Sequence, residues 1–144
     1  MAMTQRVLIL CTGNSARSQM AEGLLRVLSE GKIEVESAGS APSRVNPLAI
    51  RVMAERDIDI SHQRSKHLRE FLSTPFDVVI TVCDQAAETC PLFPGKAERI
   101  HWSFPDPAAA LGSEAEQLAA FREVCSGLED RLKAWLQEQE IGKA

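Results

Sequence analysis

The apolar positions of this chain fall into two kinds of run. Val7-Leu8-Ile9-Leu10 and Val78-Val79-Ile80 are short and unbroken. That is the pattern of a strand covered on both faces, as in a parallel sheet. Elsewhere apolar residues recur at helical spacing. Met20, Ala21, Leu24, Leu25, Val27 and Leu28 form one broad face, and Gly31 follows as a stop. Leu118, Phe121, Val124, Cys125, Leu128, Leu132, Trp135 and Leu136 form a longer stripe near the end.

Strands are therefore predicted over 6–10, 33–37, 76–82 and 98–102. Helices are predicted over 18–29 and 47–56, with a short one over 65–71 and a long last one. Asn46 before Pro47 suits a capped helix start, and Ser113-Glu114-Ala115-Glu116 reads as a capping box. Residues 38–46 and 84–96 carry the Gly, Pro and Ser of loops. Strands alternating with helices predict an α/β fold: one domain over 1–144, a doubly wound sheet of four parallel strands flanked by helices. Such a sheet binds ligands beyond the carboxyl ends of its strands. Cys11 ends the first strand, Cys83 follows the third and Asp106 follows the fourth, so all three are expected on one rim.

The stretch Cys11-Thr12-Gly13-Asn14-Ser15-Ala16-Arg17-Ser18 connects the first strand to the first helix. Backbone N–H groups of a first helical turn have no partner inside the helix, and the helix dipole adds positive charge there. Together they make an anion site. Gly13 and Asn14 are the residue types that best tolerate positive φ, which lets a loop curl its N–H groups inward. The planar fork of Arg17 suits two oxygens of a phosphate-like anion. A thiol at a helix N-terminus beside a cation is shifted toward the thiolate, the nucleophilic form. The loop is thus expected to bind an oxyanion and to present Cys11 to it as a nucleophile. It has no Gly-Lys-Ser/Thr, so it is not a nucleotide loop.

Composition narrows the setting. The chain has 144 residues, 44% hydrophobic and 25% charged, enough for a core of its own. A net charge of -4 gives no long-range pull toward nucleic acid or an anionic membrane. No apolar run approaches a membrane span, and the first residues lack a signal-peptide layout. A cytoplasmic monomer without a cofactor is the expectation. Four cysteines in a reducing compartment point to catalysis, metal binding or burial before structural disulfides.

Cys83 and Cys90 flank six residues on the long loop, wider than a Cys-x2-Cys zinc knuckle. They are metal ligands with His101, inert buried thiols, or a pair capable of a reversible disulfide, which needs an accessible sulfur and room to move. Asp106 between Pro105 and Pro107 cannot start an ordinary helix. Its carboxylate serves turn chemistry or, beside Cys11 and Arg17, a general acid protonating a leaving oxygen.

Three motifs taken together resemble a known family. They are Cys-Thr-Gly-Asn-Ser-Ala-Arg-Ser from Cys11, Val-Cys-x6-Cys-Pro around Cys83 and Cys90, and His-Trp-x-Phe-x-Asp-Pro ending at Pro107. In register over nearly the whole chain, they resemble the thioredoxin-coupled arsenate reductases of the low-molecular-weight protein tyrosine phosphatase superfamily. Phosphatases of that superfamily carry tyrosines after the Asp-Pro. Here Ala108 and Ala109 follow, and the chain has no tyrosine.

The resemblance implies arsenate as substrate and thioredoxin as reductant. Cys11 would attack arsenate held by Arg17 and the loop Thr12, Gly13, Asn14, Ser15, Ala16 and Ser18. Asp106 would be the acid, and Cys83 and Cys90 the redox pair. Some members hold potassium near the loop, at positions matched by Asn14, Glu22 and Ser37. A further carboxylate expected near Ser65 is absent, and Lys66 stands there as an ammonium that could replace the cation. Cys125 reads as core, Arg64, Lys66 and Arg69 as a solvated face. A phosphatase using Cys11, Arg17 and Asp106 without the second cysteine pair is the competing reading.

Overall fold

The structure, a computed structural model, describes residues 5–84 and 91–143, with side chains as far as Gln139. Four strands, β1 (Gln5–Cys11), β2 (Ile33–Gly39), β3 (Val78–Thr81) and β4 (Glu98–His101), form one parallel sheet in the order β2-β1-β3-β4. Among the described residues three α-helices accompany it, α1 (Arg17–Leu28), α2 (Pro47–Ala54) and α3 (Glu114–Lys143).

β1 is one of two inner strands, and both faces of it are covered. Val7, Leu8, Ile9 and Leu10 are all fully buried, which is why their run shows no alternation. Val7, Ile9 and Cys11 face a core with Met20, Leu24 and Leu25 of α1, Val52 and Met53 of α2, and Phe121 and Leu128 of α3. Leu8 and Leu10 face the other way, onto Phe71, Val79 and Phe93. There the rings of Phe71, Phe76 and Phe93 stack edge to face, with centroids 5.9 and 5.8 Å apart. Each large apolar side chain so buried stabilises the fold by roughly 1.5–3 kcal/mol.

The helix ends follow local chemistry. Asn46 Oδ1 accepts the Leu48 N–H at 2.8 Å, with Pro47 at the first helical position. Ser113 and Glu116 cap each other reciprocally, each backbone N–H donating at 3.2 Å to the other's side chain. The short helix expected over 65–71 shrinks to a 3-10 turn at Leu68–Phe71. Its first residues are held extended instead. Gly39 N–H donates to Lys66 O at 2.9 Å, and Gly39 and His67 form an isolated parallel bridge.

The chain leaves β1 toward β2, then returns across it to β3. The strand order reverses at β1 and β3, so a crevice opens beyond their carboxyl ends. Cys11 is the last residue of β1, and Val82 N–H donates to Leu10 O at 2.9 Å just before Cys83. No helix among the described residues is long and apolar enough to cross a membrane.

Candidate active site

The loop from Cys11 to Arg17 is shaped by what its carbonyls do. Thr12 O accepts from Ala41 N–H, Gly13 O from Ser43 N–H and the Ser65 hydroxyl, Asn14 O from Gln19 Nε2, and Ser15 O from Asn46 N–H. Four successive carbonyls are therefore turned outward, into the surrounding protein. In a planar trans peptide the next N–H points the opposite way. The amides of Gly13, Asn14, Ser15 and Ala16 accordingly converge on the inside of the loop. α1 starts directly after it with no side-chain cap and no acidic residue in its first turn. Amides and helix end together form a bowl for an anion.

Only one of the two flexible residues uses its freedom. Asn14 sits at φ 46°, in the left-handed region, whereas Gly13 has no positive φ and a Cβ there would meet nothing nearer than 3.7 Å. The glycine the loop requires is Gly39, at the end of β2. A Cβ on it would lie 2.3 Å from Thr12 O and 2.9 Å from Cys11 O.

Asn14 is the centre of the polar network beneath the bowl. Its Oδ1 accepts the backbone N–H of Lys66 at 2.8 Å and Gln19 Nε2 at 3.0 Å. A backbone N–H can only donate, so the amide oxygen is fixed on that side. Nδ2 is thereby turned to Ser18 Oγ at 2.8 Å and Ser37 Oγ at 2.9 Å. Ser18 Oγ lies 2.9 Å from Cys11 Sγ. Ser37 Oγ donates to Glu22 Oε1 at 2.6 Å.

Arg17, Asp106 and Cys83 each have contacts of their own. Arg17 is 4% exposed, and its Nη1 donates to Phe104 O at 3.1 Å. The Phe104 ring lies against Gly127 of α3, where a Cβ would come within 2.8 Å of it. Asp106 is exposed, and its Oδ1 accepts the Ala108 N–H at 3.0 Å, capping the turn Pro107–Ala109. Cys83 is buried and disulfide-bonded, while Cys11 and Cys125 carry free thiols. Cys90 lies outside the described residues.

Residues 6–144 match the family model described as low molecular weight phosphotyrosine protein phosphatase. An arsenate reductase from Halalkalibacterium halodurans is 43% identical over 94% of this chain and 98% of its own. The chain belongs to the arsenate reductase branch of the low-molecular-weight phosphatase family. The solved structure of an arsenate reductase in the phosphate binding state superposes with a TM-score of 0.79 at 35% identity, covering 93% of this chain and 98% of the other. A thioredoxin-dependent arsenate reductase from Corynebacterium glutamicum superposes with a TM-score of 0.74 at 25% identity, over 98% of this chain and 64% of the other.

Within that family frame, the residues matched to a potassium site do meet, but not in a form that suits potassium. A hard cation needs oxygen lone pairs turned toward it. Asn14 instead presents its Nδ2 to Ser37, and Ser37 spends its proton on Glu22. Lys66 brings a positive charge to the same carboxylate, Nζ lying 3.7 Å from Glu22 Oε1 and 3.8 Å from Glu36 Oε1. The donor set does not fit a potassium ion. No group of three or more His, Cys, Asp or Glu among the described residues could hold a metal.

One sequence reading needs correction. Lys66 is not on a solvated face with Arg64 and Arg69, because it is 6% exposed. Glu22 beside it is 3% exposed and also accepts from Arg26 Nη2 at 2.7 Å. Gln19, Gln63 and Gly39 are supporting residues the sequence reading passed over. Gln63 Nε2 donates to Gln19 Oε1 at 2.7 Å, which orients Gln19 toward Asn14. A polar residue within the apolar spacing of α1 was the available signal for Gln19. Nothing local marks Gln63 or Gly39.

Proposed function

We propose that this chain reduces arsenate to arsenite at Cys11, using Cys83 and Cys90 as a redox pair and thioredoxin as the electron donor. One observation carries the reading. An oxyanion bowl with Cys11 at its base opens at the end of β1, and Cys83 follows the adjacent strand β3.

The steps balance as follows. The Cys11 thiolate attacks arsenic held by the loop amides and Arg17, forming an S–As bond. An As–O bond breaks, and Asp106 supplies the proton that lets the oxygen leave as water. The Cys83 thiolate then attacks Cys11 Sγ. An S–S bond forms, the S–As bond breaks, and its electron pair reduces arsenic from the +5 to the +3 state as arsenite leaves. Cys90 attacks Cys83, which frees Cys11 and leaves a Cys83–Cys90 disulfide. Reduced thioredoxin returns two electrons and two protons to that disulfide. The donor places the reaction in a reducing compartment, the cytoplasm, where it serves arsenic detoxification.

Ser18 fits the first step. Its hydroxyl oxygen accepts from Asn14 Nδ2 and lies 2.9 Å from Cys11 Sγ, within reach to donate its proton to the attacking sulfur. Phosphate would fit the same bowl, but thiols do not reduce phosphorus, so selectivity comes from redox chemistry. Phosphoester hydrolysis through a phospho-Cys11 intermediate would use Cys11, Arg17 and Asp106 and leave the second cysteine pair without a role.

Thiol mapping tests the reading. Reduced protein is exposed to arsenate or to phosphate, quenched with an alkylating agent, digested and analysed by mass spectrometry. A Cys83–Cys90 disulfide that forms with arsenate and not with phosphate is the expected result. Four alkylated thiols after both anions would overturn it.

A further inference from the structure

Lys66 is a lysine with almost no exposure, a condition lysines reach only when paired. Its ammonium stands between Glu22 Oε1 at 3.7 Å and Glu36 Oε1 at 3.8 Å, and donates to Arg64 O at 3.4 Å. The Phe71 ring lies 6.0 Å away, at the outer limit of a cation–π contact. The same residue also holds Asn14 through its backbone N–H and takes the Gly39 N–H on its carbonyl. One residue thus grips both the asparagine beneath the bowl and the strand end behind it.

We propose that Lys66 is a built-in cation of the Cys11 loop, which makes the oxyanion site independent of any bound monovalent metal. The charge reaches the sulfur through an unbroken set of contacts. Lys66 and Arg26 neutralise Glu22, Glu22 accepts from Ser37, Ser37 accepts from Asn14, and Asn14 donates to the Ser18 hydroxyl beside Cys11. Glu22 is buried, so without the ammonium its carboxylate would be left partly uncompensated, a costly state that the network relieves by moving. Asn14 is the member with most to lose. Its left-handed backbone is a conformation that persists only while its surroundings hold it. Lys66 is therefore a positioning residue, acting on the reaction through Asn14 and Ser18. Its role in turnover rests on the arsenate reading, whereas its role in shaping the bowl does not.

The test reads oxyanion binding and not turnover. Phosphate is titrated against the rate of Cys11 alkylation, followed by mass spectrometry, at constant ionic strength in choline or potassium chloride. The wild-type protein, Lys66→Gln and Lys66→Asp are compared, each checked for folding by thermal unfolding. The wild-type phosphate constant is expected to agree between the two salts within about twofold. Both variants are expected to bind phosphate about tenfold more weakly in choline, the loss of roughly one charge-assisted interaction. Lys66→Asp adds an oxygen donor and is expected to recover saturably with potassium.

A wild-type constant that improves more than about threefold in potassium would overturn the proposal, and this arm needs no variant. So would a folded Lys66→Gln protein binding phosphate like the wild type in choline. Failure of phosphate to protect Cys11 in every protein would remove the bowl itself and the arsenate reading with it. Intact protection alongside absent arsenate-driven disulfide formation would remove the arsenate reading alone.

Discussion

Cys11 Sγ and Ser18 Oγ lie 2.9 Å apart, and the serine oxygen is simultaneously held by Asn14 Nδ2 at 2.8 Å. When Cys11 attacks as a thiolate, the hydroxyl is the group that donates across this contact. Ser18→Ala removes that group and leaves Asn14 Nδ2 with Ser37 Oγ as its remaining acceptor. A hydrogen bond to a charged group is worth about 1.5–3 kcal/mol. The variant is expected to lose about 10- to 100-fold in kcat/KM for arsenate. Steady-state kinetics together with the rate of Cys11 alkylation at neutral pH will show it, both falling together.

Cys83→Ser separates anion binding from redox chemistry. The substitution leaves the Cys11 loop and Arg17 untouched, so phosphate is expected to protect Cys11 from alkylation as in the wild type. Arsenite formation is expected to fall by at least about a hundredfold, the order of loss for removing a group that acts as a unit with the nucleophile. Arsenite assay under single-turnover conditions is the measurement. Undiminished arsenite formation would take Cys83 out of the electron path.

Gly39→Ala drives a methyl group to 2.3 Å from Thr12 O and 2.9 Å from Cys11 O, both backbone atoms. The loop must shift, at a cost of about 1–3 kcal/mol in stability, and phosphate binding should be lost with it. Gly13→Ala meets nothing nearer than 3.7 Å and needs no positive φ. Its stability is expected to change by less than about 0.5 kcal/mol. Urea unfolding of the two variants, with phosphate titration, makes the comparison.

Cys125 is buried against Met53 Sδ at 3.7 Å, and burial pushes its thiol above the ordinary range. The folded state therefore holds this proton more tightly than the unfolded chain. Its contribution to stability is complete below the ordinary thiol range and declines as pH rises through the raised value. Cys125→Ala is expected to be less stable than the wild type at neutral pH, by about 1 kcal/mol for a small core truncation. The gap is expected to narrow toward about pH 10. Urea midpoints at the two pH values, taken under reducing conditions, test the sign.

Local patterns reached the strands, the helices and the loop that holds Cys11. Periodicity is a local property, and so are the Asn46 cap and the Ser113–Glu116 box, because the partners lie within three residues of each other. The Cys11, Asn14 and Arg17 spacing is equally local, and it carried the anion site. The short helix over 65–71 did not survive, because residues far away in the chain claim its backbone. Lys66 N–H goes to Asn14 and Lys66 O to Gly39.

The sequence by itself determined which segments cross the core and that Cys11 closes a strand directly before a loop and a helix start. Those depend on residues within a few positions of one another. Only the tertiary structure decided that Lys66 and Glu22 are buried partners, that Gly39 must lack a side chain, and that Gln19 and Gln63 brace Asn14. Each depends on β2 and the 64–67 segment coming to rest against the first loop. A charge can be read as solvated or buried only when its neighbours in space are known, and those neighbours are set by chain crossings that no local spacing encodes.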